Sequence, residues 1–185
     1  MVGDGGIGIF FNNAGINISE RQLTPEGIEM QFGTNHIGPF LLTNLLLPLI
    51  LRTGKGRVVM TSSEAHRISP VRFSDFNLEG KKIPRDEEPR RGLPVGMLRG
   101  DGGYEPAVAY GQSKTANVLF AVALNERLGG RGLKSFAVHP GSKYQSLSEL
   151  ITRVGIIQCF MIVENFSSPL KCLAKITHSY HDGAY

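Results

Sequence analysis

The chain has 185 residues, of which 41% are hydrophobic and 19% are charged. This composition fits one globular domain over residues 1–185 and excludes a disordered or fibrous protein, since domains commonly hold about 100–200 residues. The net charge is +4, but acidic and basic side chains mix along the sequence, so no nucleic-acid partner is expected. Cys159 and Cys172 lack metal-ligand spacing, which predicts neither a zinc site nor a disulfide framework and favours a reduced, cytoplasmic location.

The glycine run at residues 3–8, GDGGIG, has the composition of a phosphate-binding loop but the wrong neighbours. A dinucleotide-binding loop follows a strand and opens a helix, whose N-terminal amides receive the pyrophosphate. Here two residues precede the run and the apolar triplet IFF follows it, which predicts a strand over residues 7–11. We therefore interpret the run as a leader to this strand rather than as a cofactor loop.

The next predicted element is a long helix that begins at Thr24, a suitable N-cap, with Pro25 at the first helical position. The pattern continues, with a break near Gly33, through the apolar stretch 37–51 and ends at Gly54. This stretch is shorter than the roughly 20 residues that cross a bilayer, so a buried or interfacial helix is expected. Its apolar residues cover nearly every side, so one face can meet the core and another a partner subunit.

A second strand is predicted at Arg57–Thr61, and a third at residues 135–138, before Pro140 and Gly141. Between them lie a long loop at residues 69–106 and a helix that carries the motif YGQSKTANVLF. Strands that alternate with helices predict a parallel sheet with all carboxyl ends at one edge, where α/β proteins bind ligands. The predicted fold class is therefore α/β, a partial doubly wound, Rossmann-like parallel sheet with flanking helices.

Tyr110 and Lys114 are four residues apart near the start of this helix, so their side chains share a face. An isolated pair is inert at neutral pH, because tyrosine titrates near 10 and lysine near 10.4. Beside the Lys114 ammonium and a cationic nicotinamide, however, the phenolate is favoured and the pKa of Tyr110 is expected to fall. Tyr110 would then act as general acid in carbonyl reduction and as general base in alcohol oxidation.

Two further polar residues are candidates for the same site. Ser63, just after the second strand, has a hydroxyl that could donate a hydrogen bond to a developing alkoxide, and Ser62 is the alternative. Asn35 is a polar amide within an apolar helix, which costs stability unless the amide is hydrogen-bonded. The spacing alone leaves open whether Asn35 is a site residue, a helix kink or a buried polar contact.

Five motifs occur in one order along the chain: NNAGI, TNHIGPFLLT, GRVVMTSSEAH, YGQSKTANVLF and HPG. In this order they resemble the short-chain dehydrogenase/reductase family, nearest its retinol-dehydrogenase-like and WW-domain-oxidoreductase-like members. The resemblance implies a catalytic tetrad of Asn35, Ser63, Tyr110 and Lys114. It makes Tyr110 the acid/base, while Lys114 lowers the Tyr110 pKa and binds the nicotinamide ribose. Ser63 orients the substrate oxygen, and Asn35 holds a water in a proton relay.

The resemblance also implies a cofactor and a substrate class. Asn12, Ala14 and Gly15 match the turn that flanks the adenosine side of the cofactor, and Pro140-Gly141 match the loop beside the nicotinamide. The implied activity is hydride transfer between an alcohol and a carbonyl with NADP or NAD, NADP being slightly preferred, and without a metal. The expected substrate is a lipophilic alcohol, aldehyde or ketone, in a pocket that the long loop shapes.

The chain departs from the pattern of the family at both ends. Family members carry a glycine-rich turn after a first strand, several elements before NNAG, and a threonine a few residues after HPG. Neither is evident here, although Ser142 or Ser146 could replace the threonine. We therefore expect a chain truncated at both ends, in which the first strands are missing.

Two hypotheses about function follow from this sequence. In the first, it belongs to a cytoplasmic or membrane-peripheral oxidoreductase. In the second, it is a catalytically inactive fragment or pseudoenzyme that at most associates with a partner. The resemblance also implies a homodimer that forms through the helices at residues 39–51 and 116–128.

Overall fold

The computed structural model describes residues 6–89 and 104–141. These residues build a three-stranded sheet in the order β1-β2-β3, formed by Ile9–Asn12, Arg57–Thr61 and Lys134–Val138. Both strand pairs are parallel. The predicted α/β class with a parallel sheet is confirmed, and β1 begins two residues later than the sequence indicated.

Helices connect the strands. The main ones are α1 at Met30–Phe32, a π-helix at Gly33–Ile37, α2 at Gly38–Arg52 and α3 at Pro106–Leu128. Short 3-10 helices occupy Glu64–Arg67, Arg85–Glu87 and Gly129–Arg131. The interpretations of Ser142, Ser146, both cysteines and residues 3–5 fall outside the described residues.

The long helix begins later than the sequence predicts, at Met30 rather than at Thr24. Residues 24–27 form a turn closed by a hydrogen bond from the Gly27 amide to the Thr24 carbonyl (2.9 Å). Leu23 and Glu29 then pair as an isolated antiparallel bridge, which holds the intervening residues outside the helix. Thr24 therefore caps a turn, and Glu29 is the N-cap of the helix.

The predicted break near Gly33 is confirmed as a π-helix at Gly33–Ile37, between α1 and α2. A side chain at Gly33 would force Thr24 to move, because a Cβ built there lies 2.7 Å from the Cγ2 atom of Thr24. A π-helix shifts backbone hydrogen bonds from the fourth to the fifth residue and often lies at functional sites. Here it contains Asn35, which is 1% exposed.

The hydrophobic core lies between the sheet and the two long helices. Strand β2 is its centre, with Val58 and Met60 fully buried. They pack with Ile50 of α2 and with the buried face of α3, which includes Val118 and Ala121. This packing fixes α3 across the sheet, so its first turns lie near the carboxyl ends of the strands.

Part of the long loop is ordered by one buried carboxylate. Asp75 accepts hydrogen bonds from the backbone amides of Glu79 (2.9 Å), Gly80 (3.0 Å) and Lys81 (3.0 Å). Leu78 is buried beside it. Residues 69–89 contain no strand, as expected for a loop, and residues 90–103 lie outside the described part of the chain.

Within the described residues, Met30–Leu51 is long and apolar enough to cross a membrane by length and composition alone. The helical run is longer than the apolar stretch at 37–51, since α1 and the π-helix continue into α2. A core helix of a water-soluble protein meets the same criterion, and Ile50 packs into the core. The stretch is therefore weak evidence for a membrane span.

The Glu29 carboxylate joins the start of the helix to the end of the long loop. It is fully buried and accepts hydrogen bonds from the backbone amides of Gln31 (3.0 Å) and Phe32 (2.7 Å). The Tyr104 hydroxyl donates a third bond (2.8 Å). Burial raises the pKa of Tyr104, so this phenol remains a neutral donor.

We expect Glu29→Ala to lower the free energy of unfolding by about 2–4 kcal/mol, because it removes a cap and leaves three buried donors unpaired. Urea unfolding followed by circular dichroism measures this change. The matched control is Glu26→Ala, an exposed carboxylate in the preceding turn, which is expected to change the value by less than about 0.5 kcal/mol. Equal effects of the two substitutions would contradict the structural role of Glu29.

Candidate active site

The candidate residues converge at the carboxyl edge of the sheet. Ser63 follows β2, Tyr110 and Lys114 lie in the first turns of α3, and Asn35 lies in the π-helix. The loop after β1 passes beside them, because a Cβ built at Gly15 would lie 3.0 Å from Asn35 Oδ1 and 3.3 Å from Lys114 Nζ. Segments from four parts of the sequence thus meet at one edge, as the parallel topology predicts.

Lys114 is a buried cation at the centre of this site. It is 3% exposed, and its Nζ atom donates a hydrogen bond to the Thr61 carbonyl (3.1 Å). The same Nζ atom lies 5.3 Å from the centre of the Tyr110 ring. Burial lowers the pKa of Lys114 to about 8, because the charged ammonium loses solvation.

Tyr110 is half-buried, and two effects on its pKa oppose each other. Burial raises the pKa, and a hydrogen bond from Ser63 lowers it. In the protein alone the net shift of the Tyr110 pKa is upward. The sequence predicts a fall of this pKa when two cations, the Lys114 ammonium and a nicotinamide, lie beside the phenol. The difference arises because desolvation of the phenolate, which the sequence does not reveal, is the larger effect here.

The two serines after β2 have different partners. Ser63 caps the 3-10 helix Glu64–Arg67 by accepting a hydrogen bond from the Ala65 amide (3.2 Å), and it also contacts the Tyr110 hydroxyl. The Ser62 hydroxyl instead donates to the Lys114 carbonyl (2.9 Å) and is buried against α3. The geometry thus brings Ser63, rather than the alternative Ser62, to the phenol.

Asn35 joins the loop after β1 to the turn that carries Tyr110. Its Oδ1 atom accepts from the Ile16 amide (2.7 Å), and its Nδ2 atom donates to the Ile16 carbonyl (2.9 Å) and to Ser113 Oγ (3.0 Å). Ser113 in turn donates to the Tyr110 carbonyl (2.8 Å). The Asn35 side chain is therefore a buried polar contact, which was one of the open alternatives, and it also borders the site.

The predicted cofactor residues divide into two groups. Ala14, Gly15 and Gly141 are exposed at the carboxyl edge, and Pro140 is partly exposed there. The Asn12 side chain points inward and donates to Thr43 Oγ1 (2.8 Å) and Met60 Sδ (3.0 Å). The donors of this amide are therefore used between α2 and β2, and the match of Asn12 to the cofactor turn stays a prediction.

Asn117 is a buried polar residue of this region that the sequence reasoning missed. It is 2% exposed and lies three residues after Lys114 on α3. Its Nδ2 atom donates to the carbonyls of Asn35 (3.0 Å) and Thr61 (3.1 Å). The signal that could have revealed it is the i,i+3 spacing from Lys114, which places both side chains on one helix face.

The arrangement supplies the groups that proton transfer to or from an oxygen requires. A phenol lies beside a hydroxyl donor, and a cation lies over the phenol ring. Within residues 6–89 and 104–141, no group of three or more His, Cys, Asp or Glu side chains could hold a metal ion. The fold and the site together define an α/β protein whose polar site lies at the carboxyl edge of a parallel sheet.

Comparisons with known proteins identify the family. The model for short chain dehydrogenase matches residues 2–75. Oxidoreductase fscI of Fusarium equiseti is 38% identical over 143 residues, which are 74% of this chain and 55% of that protein. Retinol dehydrogenase 12 of Mus musculus is 40% identical over 153 residues, 83% of this chain and 40% of that protein. This chain belongs to the short-chain dehydrogenase family.

A solved structure agrees with this assignment. The crystal structure of an uncharacterised protein from Mycobacterium paratuberculosis superposes with a TM-score of 0.61 at 32% identity, over 90% of this chain and 54% of that one. The chain spans about half the length, or less, of the two curated relatives. The family and its Rossmann-like fold are thus established for the part of the molecule that this chain represents.

Proposed function

We propose that the protein is an NAD(P)-dependent oxidoreductase that transfers a hydride between an alcohol and a carbonyl. The observation that carries the proposal is the convergence of Ser63, Tyr110 and Lys114. The Ser63 hydroxyl contacts the phenol, and the Lys114 ammonium lies over the phenol ring. Family membership supports the same activity and favours an enzyme over the second hypothesis, a catalytically inactive fragment or pseudoenzyme. The tetrad roles of these residues and of Asn35 remain part of the proposal.

Each residue has a distinct chemical role in this proposal. In the reducing direction Tyr110 donates its phenolic proton to the carbonyl oxygen, and in the oxidising direction the phenolate accepts the proton of the alcohol. Ser63 donates a hydrogen bond to the same oxygen and stabilises negative charge on it. The Lys114 ammonium favours the phenolate by its positive charge. A bound nicotinamide supplies or accepts the hydride.

The residues present fit a nicotinamide nucleotide. Lys114 uses one of its three N–H donors on the Thr61 carbonyl, so the others can bind sugar hydroxyls. A Cβ at Gly15 would lie 3.0 Å from Asn35 Oδ1 and 3.3 Å from Lys114 Nζ, so glycine leaves more space beside the ammonium than a larger residue would. Backbone of Ala14, Pro140 and Gly141 would flank the cofactor. The choice between NADP and NAD stays a prediction, with NADP slightly preferred.

A lipophilic alcohol, aldehyde or ketone is the proposed substrate. The names of several relatives support this class, since they are retinol dehydrogenases. The described part of the long loop also exposes two aromatic side chains, Phe73 (75%) and Phe76 (44%), which could contact an apolar molecule. The location stays a prediction, cytoplasmic or membrane-peripheral.

A reduction assay with all-trans-retinal, in which the loss of NADPH or NADH absorbance is monitored, tests the proposed function. We expect saturable turnover that depends on the retinal and the cofactor together. The reverse assay supplies retinol with the oxidised cofactor. Absence of turnover in both directions, with both cofactors, would contradict the proposal and favour the inactive fragment or pseudoenzyme.

A homodimer is the proposed assembly, formed by α2 and α3. Side chains of α2 that are large, apolar and exposed include Phe40, Leu41, Leu42 and Leu45. Next to them, a groove of about 630 Å³ runs between the helices and is lined by Phe32, Leu47 and Phe120, among others. Apolar surface of this kind commonly marks a protein interface, and a second copy presents the same surface.

We expect Leu45→Asp to convert the dimer to a monomer in sedimentation velocity, because it places a charge on a side chain that is 67% exposed and central to this face. Leu23→Asp, an exposed leucine outside both helices, is the matched control and should leave the dimer intact. A monomeric wild type, or a Leu45→Asp variant that still dimerises, would contradict the assembly.

A further inference from the structure

We propose that Asn117 is a positioning residue for this site and that His36 supports its amide by donating a hydrogen bond to Oδ1. The inference rests on the proposed function, since it assigns a role within the same reaction. The Asn117 side chain donates its hydrogen bonds to the backbone of this site. It acts through two backbone carbonyls, those of Asn35 and Thr61, to which its Nδ2 atom donates.

The Asn117 side chain uses its full donor capacity on these carbonyls. An amide NH₂ group has two N–H donors, and the distances to the Asn35 and Thr61 carbonyl oxygens are 3.0 Å and 3.1 Å. Carbonyl oxygens only accept, so the NH₂ group must face them and Oδ1 must face away. Asn117 thereby connects the π-helix to the end of β2 from the middle of α3.

The Asn35 carbonyl lies in the π-helix Gly33–Ile37, and the residue four positions further on, Pro39, has no backbone N–H to donate to it. A π-helical turn changes the backbone hydrogen-bond pattern, and any buried carbonyl left without a helical partner must find another donor. Asn117 supplies that donor. The substitution of an apolar side chain would leave the backbone of Asn35 free to shift, and the Asn35 side chain would shift with it.

The Thr61 carbonyl links Asn117 directly to the lysine. It accepts hydrogen bonds from Asn117 Nδ2 and Lys114 Nζ, both at 3.1 Å. Two donors on one carbonyl restrict its direction more than one donor does. Asn117 thus fixes the acceptor that holds the Lys114 ammonium 5.3 Å from the centre of the Tyr110 ring.

His36 completes this arrangement on the opposite side of the amide. Its Nδ1 atom lies 3.0 Å from Asn117 Oδ1. Because Oδ1 can only accept, Nδ1 carries the proton and donates it. Burial lowers the pKa of His36, which favours a neutral ring with a single N–H. His36 also packs on Phe32 and Phe120, so its ring is held in place.

The tautomer of His36 provides a test that does not depend on turnover. Two-bond ¹⁵N–¹H NMR spectra of the cofactor-free chain distinguish Nδ1–H from Nε2–H. We expect Nδ1–H in the wild type and a shift toward Nε2–H in Asn117→Leu, which cannot accept the bond. A wild-type His36 protonated only at Nε2 would overturn the inference.

The kinetic test separates positioning from general stability. We expect Asn117→Leu to lower kcat about 10–100-fold, since small misplacements of catalytic groups have effects of this size, while the KM for retinal changes less than about threefold. The matched control is Asn125→Leu. Asn125 is also on α3 and binds a strand backbone, at the Ser135 carbonyl and amide (2.7 Å each), but lies away from the site.

His36→Phe is a second variant in case Asn117→Leu does not fold. It keeps an aromatic ring beside Phe32 and removes the Nδ1 donor, so we expect a smaller fall in kcat, about 3–10-fold. The positioning role would be overturned if Asn117→Leu and His36→Phe kept the kcat of the wild type. It would also be overturned if Asn125→Leu lowered kcat as much as Asn117→Leu does. Absence of turnover in the wild type is instead a failure of the proposed function.

Discussion

Replacing Tyr110 by Phe is expected to lower kcat for retinal reduction by about 10³-fold, because general acid catalysis contributes about 10²–10⁴-fold. The change removes the phenolic proton and the contact with Ser63 and keeps the half-buried ring. The affinity for the reduced cofactor should fall less than about tenfold. Single-turnover kinetics with saturating cofactor measure the chemical step directly.

Tyr104→Phe is the matched control for this substitution. The Tyr104 hydroxyl donates to the buried Glu29 carboxylate, so its loss should lower stability and leave kcat within about threefold. A Tyr110→Phe variant that retains more than a tenth of the wild-type kcat would contradict the role of the phenol as the proton donor.

Replacing Lys114 by Met is expected to have two opposite large effects. The free energy of unfolding at pH 7 should rise by about 2–3 kcal/mol, and kcat should fall at least about 10²-fold. Burial lowers the pKa of Lys114 from 10.5 to about 8, and each pKa unit corresponds to about 1.4 kcal/mol of cost for the charged form. The lost hydrogen bond to the Thr61 carbonyl offsets part of the gain.

The pH dependence gives the sign of the stability effect. Between pH 8 and 10.5 the unfolded chain binds more protons at Lys114 than the folded chain, so wild-type stability rises with pH in this window. The advantage of Lys114→Met is therefore largest below pH 8 and shrinks toward pH 10.5. Urea unfolding at pH 7 and pH 10 measures it.

Lys55→Met is the control for Lys114→Met, because Lys55 is exposed. We expect it to change stability by less than about 0.5 kcal/mol at both pH values. A Lys114→Met variant that is less stable than the wild type at pH 7 would show that the ammonium stabilises the folded state. This result would contradict the proposal that the buried Lys114 ammonium serves function and lowers the free energy of unfolding.

Much of the fold could be predicted from local sequence patterns. The main error of the prediction, the start of the long helix, has its cause in a tertiary contact. The β-branched run at Arg57–Thr61 forms the predicted strand, since it is buried in the centre of the sheet. Thr24 and Pro25 have every local property of a helix start, yet the helix begins after Glu29. The Glu29 amide binds Asn77 Oδ1 (2.9 Å), a contact with the long loop that no local pattern encodes.

The positions of the candidate residues could be predicted from the order of the motifs, but their surroundings could not, because burial determines them. Sequence order placed Ser63, Tyr110 and Lys114 at one sheet edge, but only the geometry separates Ser63 from Ser62. The predicted direction of the Tyr110 pKa considered neighbouring charges and omitted desolvation. The match of Asn12 to the cofactor turn stays a prediction, and no local pattern indicated that its side-chain amide binds Thr43 and Met60 inside the protein.

The most direct test of the central claim is a titration of the purified chain with NADPH and NADH, followed by nicotinamide fluorescence. The account predicts saturable binding that weakens at least about tenfold in Lys114→Met, since the ammonium is a proposed ribose donor. Such binding would show that residues at this sheet edge form a cofactor site. Absence of saturable binding by the wild-type chain, with either cofactor, would contradict the account.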